Sequence, residues 1–192
     1  MPPKCKFSRS EIVQAALDIA RTEGVASITA RALGAKLGSS SKPIFSVFEN
    51  MEEVQAEVVK AAKALYAEYV QVGLDQELAF KGAGTQYIRF AINEPKLFQL
   101  LFMTEQRQRP TVVNVLPVID ENYPKILLSV QQSFDLQKDD AEKLYRHIWI
   151  YTHGIAVLCA TNLCVFTSGE ISGMMSEVFM SLLKEIKGET VQ

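Results

Sequence analysis

The sequence TARALGAKLGSSSKPIFSVFENMEEV, residues 29–54, predicts two short helices joined by a tight turn. Thr29 can cap the first helix, and Gly38 can end it after about two turns. The serines that follow can cap the second helix, KPIFSVFEN over 42–50, in which Pro43 lies near the first turn, where a missing N–H costs little. Two such helices joined by a glycine-containing turn, with a longer helix before them, form a helix-turn-helix unit.

The rest of the chain also has helical periodicity. Apolar residues recur at spacings of three and four, and no long stretch alternates with the period of a strand. The other predicted helices cover approximately residues 10–23, 51–73, 76–93, a short segment after Pro95, 112–133, 138–164 and 170–187. Because residues 112–133 contain Pro117 and Pro124, we expect that helix to be kinked or broken. The sequence therefore predicts an all-α fold.

The composition is typical of a soluble protein with a substantial core. Of the 192 residues, 48% are hydrophobic and 22% are charged, which excludes a disordered or linker-dominated chain. No run of about eighteen apolar residues is present, so we expect no contact with a membrane. The three cysteines form no CxxC motif, and the N-terminus lacks the apolar segment of a signal peptide. We therefore expect reduced thiols and a cytoplasmic location.

The charge is distributed unevenly along the chain. Residues 1–48 carry seven lysines and arginines against three acidic residues, a net charge of +4, whereas the whole chain has a net charge of −2. A basic N-terminal segment on an acidic body is expected if only that segment meets a polyanion such as DNA.

Residues 29–54 resemble the DNA-binding module of tetracycline-repressor-like (TetR/AcrR) transcriptional regulators. The positions that match that family's pattern, without a gap, are Thr29, Arg31, Leu33, Gly34, Leu37, Gly38, Ser40, Ile44, Phe45, Phe48, Asn50, Glu52 and Glu53. FAINEPKLFQLLF, with WIYTHGIA further along the chain, resembles the ligand-binding half of one branch of the family. The resemblance implies a helix-turn-helix DNA-binding domain over residues 1–50 and a helical effector-binding and dimerisation domain over residues 51–192.

The resemblance also implies which side chains face DNA. A recognition helix in the major groove presents its N-terminal half to the base edges. Lys42 would then reach guanine acceptors or a phosphate, and Pro43 would touch a thymine methyl group. The implied DNA-binding residues are Thr29, Arg31, Ser40, Ser41, Lys42, Pro43, Phe45 and Ser46.

The chain departs from the family where members usually carry phosphate-directed polar residues. Phe45, Val47 and Met51 occupy these three positions. Because phosphate contacts position the protein and supply the salt-dependent part of its affinity, we expect weaker or more salt-sensitive operator binding unless other cations compensate. The candidates for compensation are Lys4, Lys6 and Arg9.

Aromatic residues in the later helices are candidates for lining a ligand cavity. The resemblance favours a cavity for the group, whereas ordinary core packing is the alternative for each residue alone. The candidate ligand-binding residues are Tyr87, Phe90, Phe98, Phe102, Trp149 and His153. His153 follows Trp149 by four residues on one helical face, so it either lines the cavity or donates to a backbone carbonyl within the core.

Small residues on the predicted helix over residues 138–164 permit another helix to pack closely against it. Gly154, Ala156 and Ala160 suit a homodimer built from the last two helices, although packing within one chain would use the same residues. No catalytic motif is recognisable, and the histidines and cysteines are poorly spaced for a metal ion. We therefore expect no enzymatic activity, no metal and no cofactor.

Together these features predict a homodimeric transcriptional repressor that a small apolar or amphipathic effector releases from a palindromic operator. The expected partners are double-stranded DNA, the effector and a second copy of the chain. The alternative is a helical small-molecule or protein-binding module of the same fold that has lost specific DNA binding. Phe45, Val47 and Met51 favour this alternative.

Overall fold

Helices form all of the regular structure in the computed structural model, which describes residues 6–105 and 109–188. The helices are α1 (Arg9–Glu23), α2 (Ala30–Lys36), α3 (Met51–Leu74), α4 (Ala79–Asn93), α5 (Pro95–Phe102), α6 (Val115–Ile119), α7 (Tyr123–Phe134), α8 (Lys138–Ala160) and α9 (Ser168–Lys187). Short 3-10 turns lie at Val25–Ser27 and Ile44–Ser46. No strand occurs in these described residues, so the predicted all-α class is confirmed. None of their helices is both long and apolar enough to cross a membrane.

The chain divides into two compact units. Unit 1 contains the described residues up to Leu65 and the segment Glu94–Thr104, which includes α5. Unit 2 contains Tyr66–Asn93 and the described residues from Glu105 onward. Helix α3 therefore contributes to both units. The predicted boundary after residue 50 lies just before α3, whereas the two units divide within it.

A capping box begins α1. The Ser8 hydroxyl accepts a hydrogen bond from the Glu11 backbone N–H at 3.2 Å, and the Glu11 carboxylate accepts one from the Ser8 N–H at 2.7 Å. These bonds satisfy amides that the helix itself leaves without partners. Helix α1 packs against α2 and α5 within unit 1 and buries Ile12 and Ala16 completely.

An ion pair fixes the start of α5 in unit 1. Arg21 Nε donates to Glu94 Oε2 at 2.8 Å, and Nη2 of the same guanidinium donates to Glu94 Oε1. Glu94 is buried, and its backbone carbonyl accepts a hydrogen bond from the Phe98 N–H at 2.8 Å. The N–H groups of a guanidinium form a fork that matches both oxygens of a carboxylate. The pair therefore holds the residue before α5 to helix α1.

Helix α3 has one continuous buried stripe. Its members are Val54, Val58 and Ala62 in unit 1 and Tyr66 and Val70 in unit 2. Residues four apart lie on nearly the same face of a helix, because one turn takes 3.6 residues. The same face of α3 therefore enters the cores of both units.

Unit 2 is built around α4 and α8. Helix α4 packs against α7 and α8, and α8 packs against α9. The connection from α3 to α4 depends on a close approach of two glycines, because a Cβ atom on Gly82 would lie 2.1 Å from the Gly73 carbonyl oxygen. Only a residue without a side chain permits backbones to approach so closely.

The predicted helix over 112–133 is broken, as its prolines led us to expect. Helix α6 ends at Ile119, and α7 begins at Tyr123 with Pro124 in its first turn. A proline inside a helix removes a backbone hydrogen bond and clashes with the preceding turn. The break leaves Asp120 at the junction between α6 and α7, where its side chain is buried.

Candidate functional site

Unit 2 contains a cavity of about 380 Å³. Its walls come mainly from α4, α8 and α9. The aromatic side chains that line it are Tyr66, Phe80, Tyr87, Tyr145, Trp149 and Phe179, with Phe134 beside them. The exposed residues Leu78 and Met180 also line it, so the cavity opens at the surface of unit 2. A cavity of this size and composition suits a small, largely apolar molecule that carries a few polar groups.

The Asp120 carboxyl lies in the cavity wall. Its Oδ2 accepts a hydrogen bond from the Tyr66 hydroxyl at 2.7 Å, and its Oδ1 accepts from the backbone and side-chain N–H groups of Asn122 at 2.8 and 3.1 Å. Burial raises the pKa of Asp120, and these hydrogen bonds act in the opposite direction. Burial and the neighbouring Asp120 raise the pKa of Tyr66 well above its usual value, so the Tyr66 hydroxyl keeps its proton.

A second polar group in the wall is the Tyr87 hydroxyl. It lies 2.9 Å from His153 Nδ1, and the rings of His153 and Trp149 are stacked with centroids 5.1 Å apart. Burial lowers the pKa of His153, which favours the neutral imidazole. Burial raises the pKa of Tyr87 against the effect of a hydrogen bond from the Trp149 side chain, which can only donate. The Tyr87 hydroxyl is therefore hydrogen-bonded both to the Trp149 side chain and to Nδ1 of a neutral His153.

The predicted ligand-binding residues of unit 2 differ in their relation to the cavity. Tyr87 and Trp149 line it, whereas His153 does not line it and contacts these two residues instead. Phe90 is fully buried and does not line the cavity, because its ring packs against those of Tyr66 and Tyr69. His153 thus contacts the cavity-lining residues Tyr87 and Trp149 but does not itself line the cavity, which was one of its two predicted roles.

The other two predicted ligand-binding residues, Phe98 and Phe102, lie on α5 in unit 1. Their ring centroids are 5.2 Å apart, and neither residue lines the cavity of unit 2. An apolar helix buries its face in whichever core it joins, and α5 packs against α1. These two phenylalanines therefore belong to the core of unit 1.

Sequence reasoning missed Tyr66, Asp120 and Tyr145 as cavity residues. Tyr66 belongs to the four-residue periodicity of α3, which marks it as buried but does not show what it contacts. Asp120 lies between two short helices, and only the folded chain brings it within 2.7 Å of the Tyr66 hydroxyl. No local signal connects residues 54 positions apart.

The eight predicted DNA-binding residues lie in unit 1, from the N-cap of α2 to the segment that follows this helix. Thr29 caps α2 by accepting the Ala32 N–H at 3.1 Å. A Schellman motif ends α2: Gly38 has φ of 61°, and the Ser39 N–H donates to the Gly34 carbonyl at 2.9 Å. A Cβ atom on Gly34 would lie only 3.0 Å from the Ser39 carbonyl oxygen. The segment after α2 therefore packs directly on that helix.

Most of these eight side chains are accessible. Thr29, Arg31, Ser40, Lys42, Phe45 and Ser46 are exposed, and Ser41 and Pro43 are half-buried. Arg31 and Lys42 form no ion pair with any residue that the structure describes. No carboxylate of the described chain therefore neutralises these two cations.

The prediction of a second short helix over residues 42–50 is wrong, because the segment forms a single 3-10 turn. The Ser46 hydroxyl donates to the Pro43 carbonyl at 2.6 Å. The Val47 N–H donates instead to the Ile44 carbonyl at 3.0 Å, three residues back. An α-helix would require the Val47 N–H to bond to the Pro43 carbonyl, four residues back, so this segment has 3-10 rather than α-helical hydrogen bonding there.

Two of the three cations expected to compensate at DNA are engaged within unit 1. Lys6 Nζ donates to a serine hydroxyl at 3.0 Å. The Arg9 guanidinium lies 2.7 Å from a Glu53 oxygen and 3.3 Å from a Glu57 oxygen, and these two carboxylates raise the pKa of Arg9. The third cation, Lys4, lies outside the described residues. Arg9 therefore joins α1 to α3 within unit 1.

No protein-family model matches the chain, and no match is found among the curated proteins. Two features of the described residues bear on function: the exposed cations Arg31 and Lys42 of unit 1 and the aromatic cavity of unit 2.

Proposed function

We propose that the protein is a homodimeric, ligand-responsive transcriptional repressor of the TetR/AcrR type, released from a palindromic operator by a small effector. The observation that carries the proposal is the coexistence of two unlike surfaces in one chain. Unit 1 presents Arg31 and Lys42 without ion-pair partners among the described residues, and unit 2 contains the aromatic cavity. The resemblance of residues 29–54 to that family supports the same function.

In this proposal, α2 and the segment after it face DNA. Arg31 and Lys42 neutralise phosphates or bind guanine acceptors, and the exposed hydroxyl of Ser40 donates to a phosphate or base. Because a 3-10 turn replaces the second helix, fewer side chains enter the groove than a full recognition helix would supply. A large share of the affinity then comes from phosphate contacts and falls steeply with salt.

Two chain connections link the cavity to unit 1. Helix α3 contributes Tyr66 to the cavity wall and continues back into unit 1. Helix α4 contributes Tyr87 and leads directly into Glu94, which Arg21 holds to α1. A ligand that binds one arrangement of α3 and α4 more tightly than another shifts the population of states competent for DNA binding.

The homodimer is proposed to form through α8 and α9. Helix α9 contains no buried residue in the single chain, and Ile150 and Leu158 are exposed on α8. A Cβ atom on Gly154, between them on the same face, would meet no other atom within 4 Å. A partner helix packed at this glycine would account for the absence of a side chain there.

Replacement of Gly154 by leucine tests the dimer. We expect Gly154→Leu to fold normally, because the single chain has room for the side chain, and to sediment as a monomer. Gly84→Leu is the control for folding and dimerisation, since a Cβ atom on the helical Gly84 would also meet no atom within 4 Å, but Gly84 lies on α4 and lines the cavity rather than the proposed interface. A Gly154→Leu protein that remains dimeric would contradict this interface.

DNA binding is tested by selection from a random duplex pool, followed by salt titration on the selected duplex. We expect a palindromic sequence to be enriched. Lys42→Ala should weaken binding and lower the slope of log affinity against log salt by about one. The matched control is Lys60→Ala, which removes the same charge from α3, where Lys60 pairs with Glu57. Equal effects of the two substitutions would contradict the assignment of Lys42.

The second candidate function is a helical small-molecule or protein-binding module that has lost operator recognition. The 3-10 turn in place of a recognition helix favours it, as do the apolar residues Phe45, Val47 and Met51. Failure of the random pool to yield any enriched duplex, with the cavity still able to bind a ligand, would favour this function over the repressor.

A further inference from the structure

Asp120 is a buried carboxyl without an ion-pair partner among the described residues. Its side chain is 4% exposed, and its hydrogen-bond partners are a tyrosine hydroxyl and two amide groups, all neutral. It forms no ion pair within the described residues. Buried carboxylates are normally stabilised by a cation as well as by hydrogen bonds. A bound cation would complete the environment of Asp120.

The rings around Asp120 favour a cation for a second reason. The Tyr66 and Tyr87 rings meet edge to face with centroids 6.0 Å apart, and the Phe80 and Tyr145 rings do so at 5.7 Å. All four of these residues line the cavity. The faces of aromatic rings carry negative charge density and attract cations. An anion at the same place would be repelled by the carboxylate of Asp120.

The hydrogen bonds of Asp120 restrict the kind of cation. Two donors from Asn122 already bind Oδ1, and the Tyr66 hydroxyl binds Oδ2. A carboxylate has about four lone-pair sites, so about one is left. A guanidinium needs both oxygens for its fork, whereas an ammonium acts as a compact point charge. The site therefore suits an amine or a quaternary ammonium better than a guanidinium.

Two cationic side chains in the cavity wall orient the ligand. Lys81 and Arg89 lie on α4, line the cavity and are exposed to solvent, whereas Asp120 is buried. A ligand with its positive charge beside these two residues would be repelled. The ammonium head is therefore placed at the buried end, and the apolar remainder extends along the rings towards the opening.

We propose that the cavity of unit 2 binds an organic ammonium ion with apolar substituents, with the head group beside Asp120. This inference rests on the proposed function, because it names the chemical class of the effector.

The experiment compares two probes that share a phenylbutyl tail, 4-phenylbutyltrimethylammonium and 4-phenylbutanesulfonate, on the full-length protein without DNA. Trp149, the single tryptophan of the chain, lines the cavity, so its fluorescence reports binding. We expect the ammonium to bind at least about tenfold more tightly than the sulfonate. Asp120→Asn should weaken ammonium binding by at least about tenfold, because it removes the buried charge and keeps the shape.

The control variant is Glu121→Gln, which removes the adjacent negative charge from an exposed residue that does not line the cavity. It should leave the affinity for the ammonium within about twofold, since an exposed charge is screened. Unaltered ammonium binding by folded Asp120→Asn would overturn the proposal. The comparison of the two probes on the wild-type protein does not depend on the folding of Asp120→Asn. If the wild type binds the sulfonate as tightly as the ammonium or more tightly, or binds neither probe, the proposal is overturned.

The outcomes for ligand and DNA are separable. Ammonium binding by a protein that selects no duplex would support the inference and reject the repressor. Selection of a duplex by a protein that binds no ammonium would reject the inference and leave the repressor supported.

Discussion

Units 1 and 2 each bury a carboxyl group, but the groups that bind its two oxygens differ in charge. In unit 1, Glu94 is 6% exposed, and both of its oxygens accept hydrogen bonds from the Arg21 guanidinium. In unit 2, Asp120 is 4% exposed, and its oxygens accept from Tyr66 and Asn122, which are neutral. The first carboxyl is balanced by charge within the unit, which makes it a structural clamp. The second has hydrogen bonds but no counter-charge among the described residues, which leaves it suited to an external cation.

The largest change in the free energy of unfolding is expected when Arg21, the counter-charge of Glu94, is replaced. Arg21→Met leaves the buried Glu94 without its cation, so we expect a loss of about 2 kcal/mol in the free energy of unfolding, moderated because the Arg21 side chain is 42% exposed. Urea denaturation measures it. The double replacement Arg21→Met with Glu94→Leu should recover much of the loss, because it removes both charges together.

The matched control for Arg21→Met is Lys60→Met. The ammonium of Lys60 pairs with Glu57 at an exposed site, so its removal should leave the urea midpoint nearly unchanged. Equal destabilisation by the two substitutions would show that the Arg21–Glu94 pair is an ordinary surface contact rather than a clamp.

A smaller effect is expected at Tyr66. Tyr66→Phe removes the hydroxyl that donates to Asp120 Oδ2 and leaves a buried oxygen without that donor, so we expect a loss of about 1 kcal/mol in unfolding free energy. Tyr69→Phe is the control, because the Tyr69 hydroxyl only accepts a 3.3 Å bond from the Asn93 amide near the surface. Matching urea midpoints for the two variants would indicate that the Asp120 network contributes nothing.

The smallest expected effect at neutral pH is that of Asp120→Asn on thermal stability. Burial raises the native pKa of Asp120 above its ordinary value of 3.8. Between the ordinary and the raised pKa, the native state binds more protons than the unfolded state, so stability falls as pH rises through that interval. The variant has no such titration. The melting temperature of the variant should therefore increase relative to that of wild type as pH rises from about 3.5 to about 7.

Parallel melting curves of the two proteins over this pH range would contradict the raised pKa. Glu11 and Glu53 have lowered pKa values and titrate in the opposite direction, but they are present in both proteins. Their contribution therefore cancels in the difference between wild type and variant.

Sequence patterns predicted the helices well where the signals are local. The apolar spacing placed α1 within about a residue of its observed bounds, and Pro124 correctly indicated the break before α7. The segment around Pro43 was predicted wrongly as a helix. Its buried residues Ile44 and Phe48 are spaced as a helix requires, but hydrophobic periodicity does not show whether the backbone forms α-helical or 3-10 hydrogen bonds.

The cavity could be predicted only in part. Tyr87 and Trp149 were identified, whereas Phe98 and Phe102 have the same apolar character and lie in unit 1 instead. Periodicity shows that a side chain is buried but not which core receives it. Asp120 gave no sequence signal, because its environment is formed by a tyrosine 54 positions earlier in the chain.

The central claim is that the cavity and the DNA-facing surface are coupled in one protein. The most direct measurement is a titration of 4-phenylbutyltrimethylammonium, followed by Trp149 fluorescence, with and without a saturating amount of the duplex selected from the random pool. Linkage requires the duplex to weaken ammonium binding by the same factor as the ammonium weakens duplex binding. The repressor account predicts two equal factors greater than one. Ammonium affinity that is the same with and without bound duplex would contradict it.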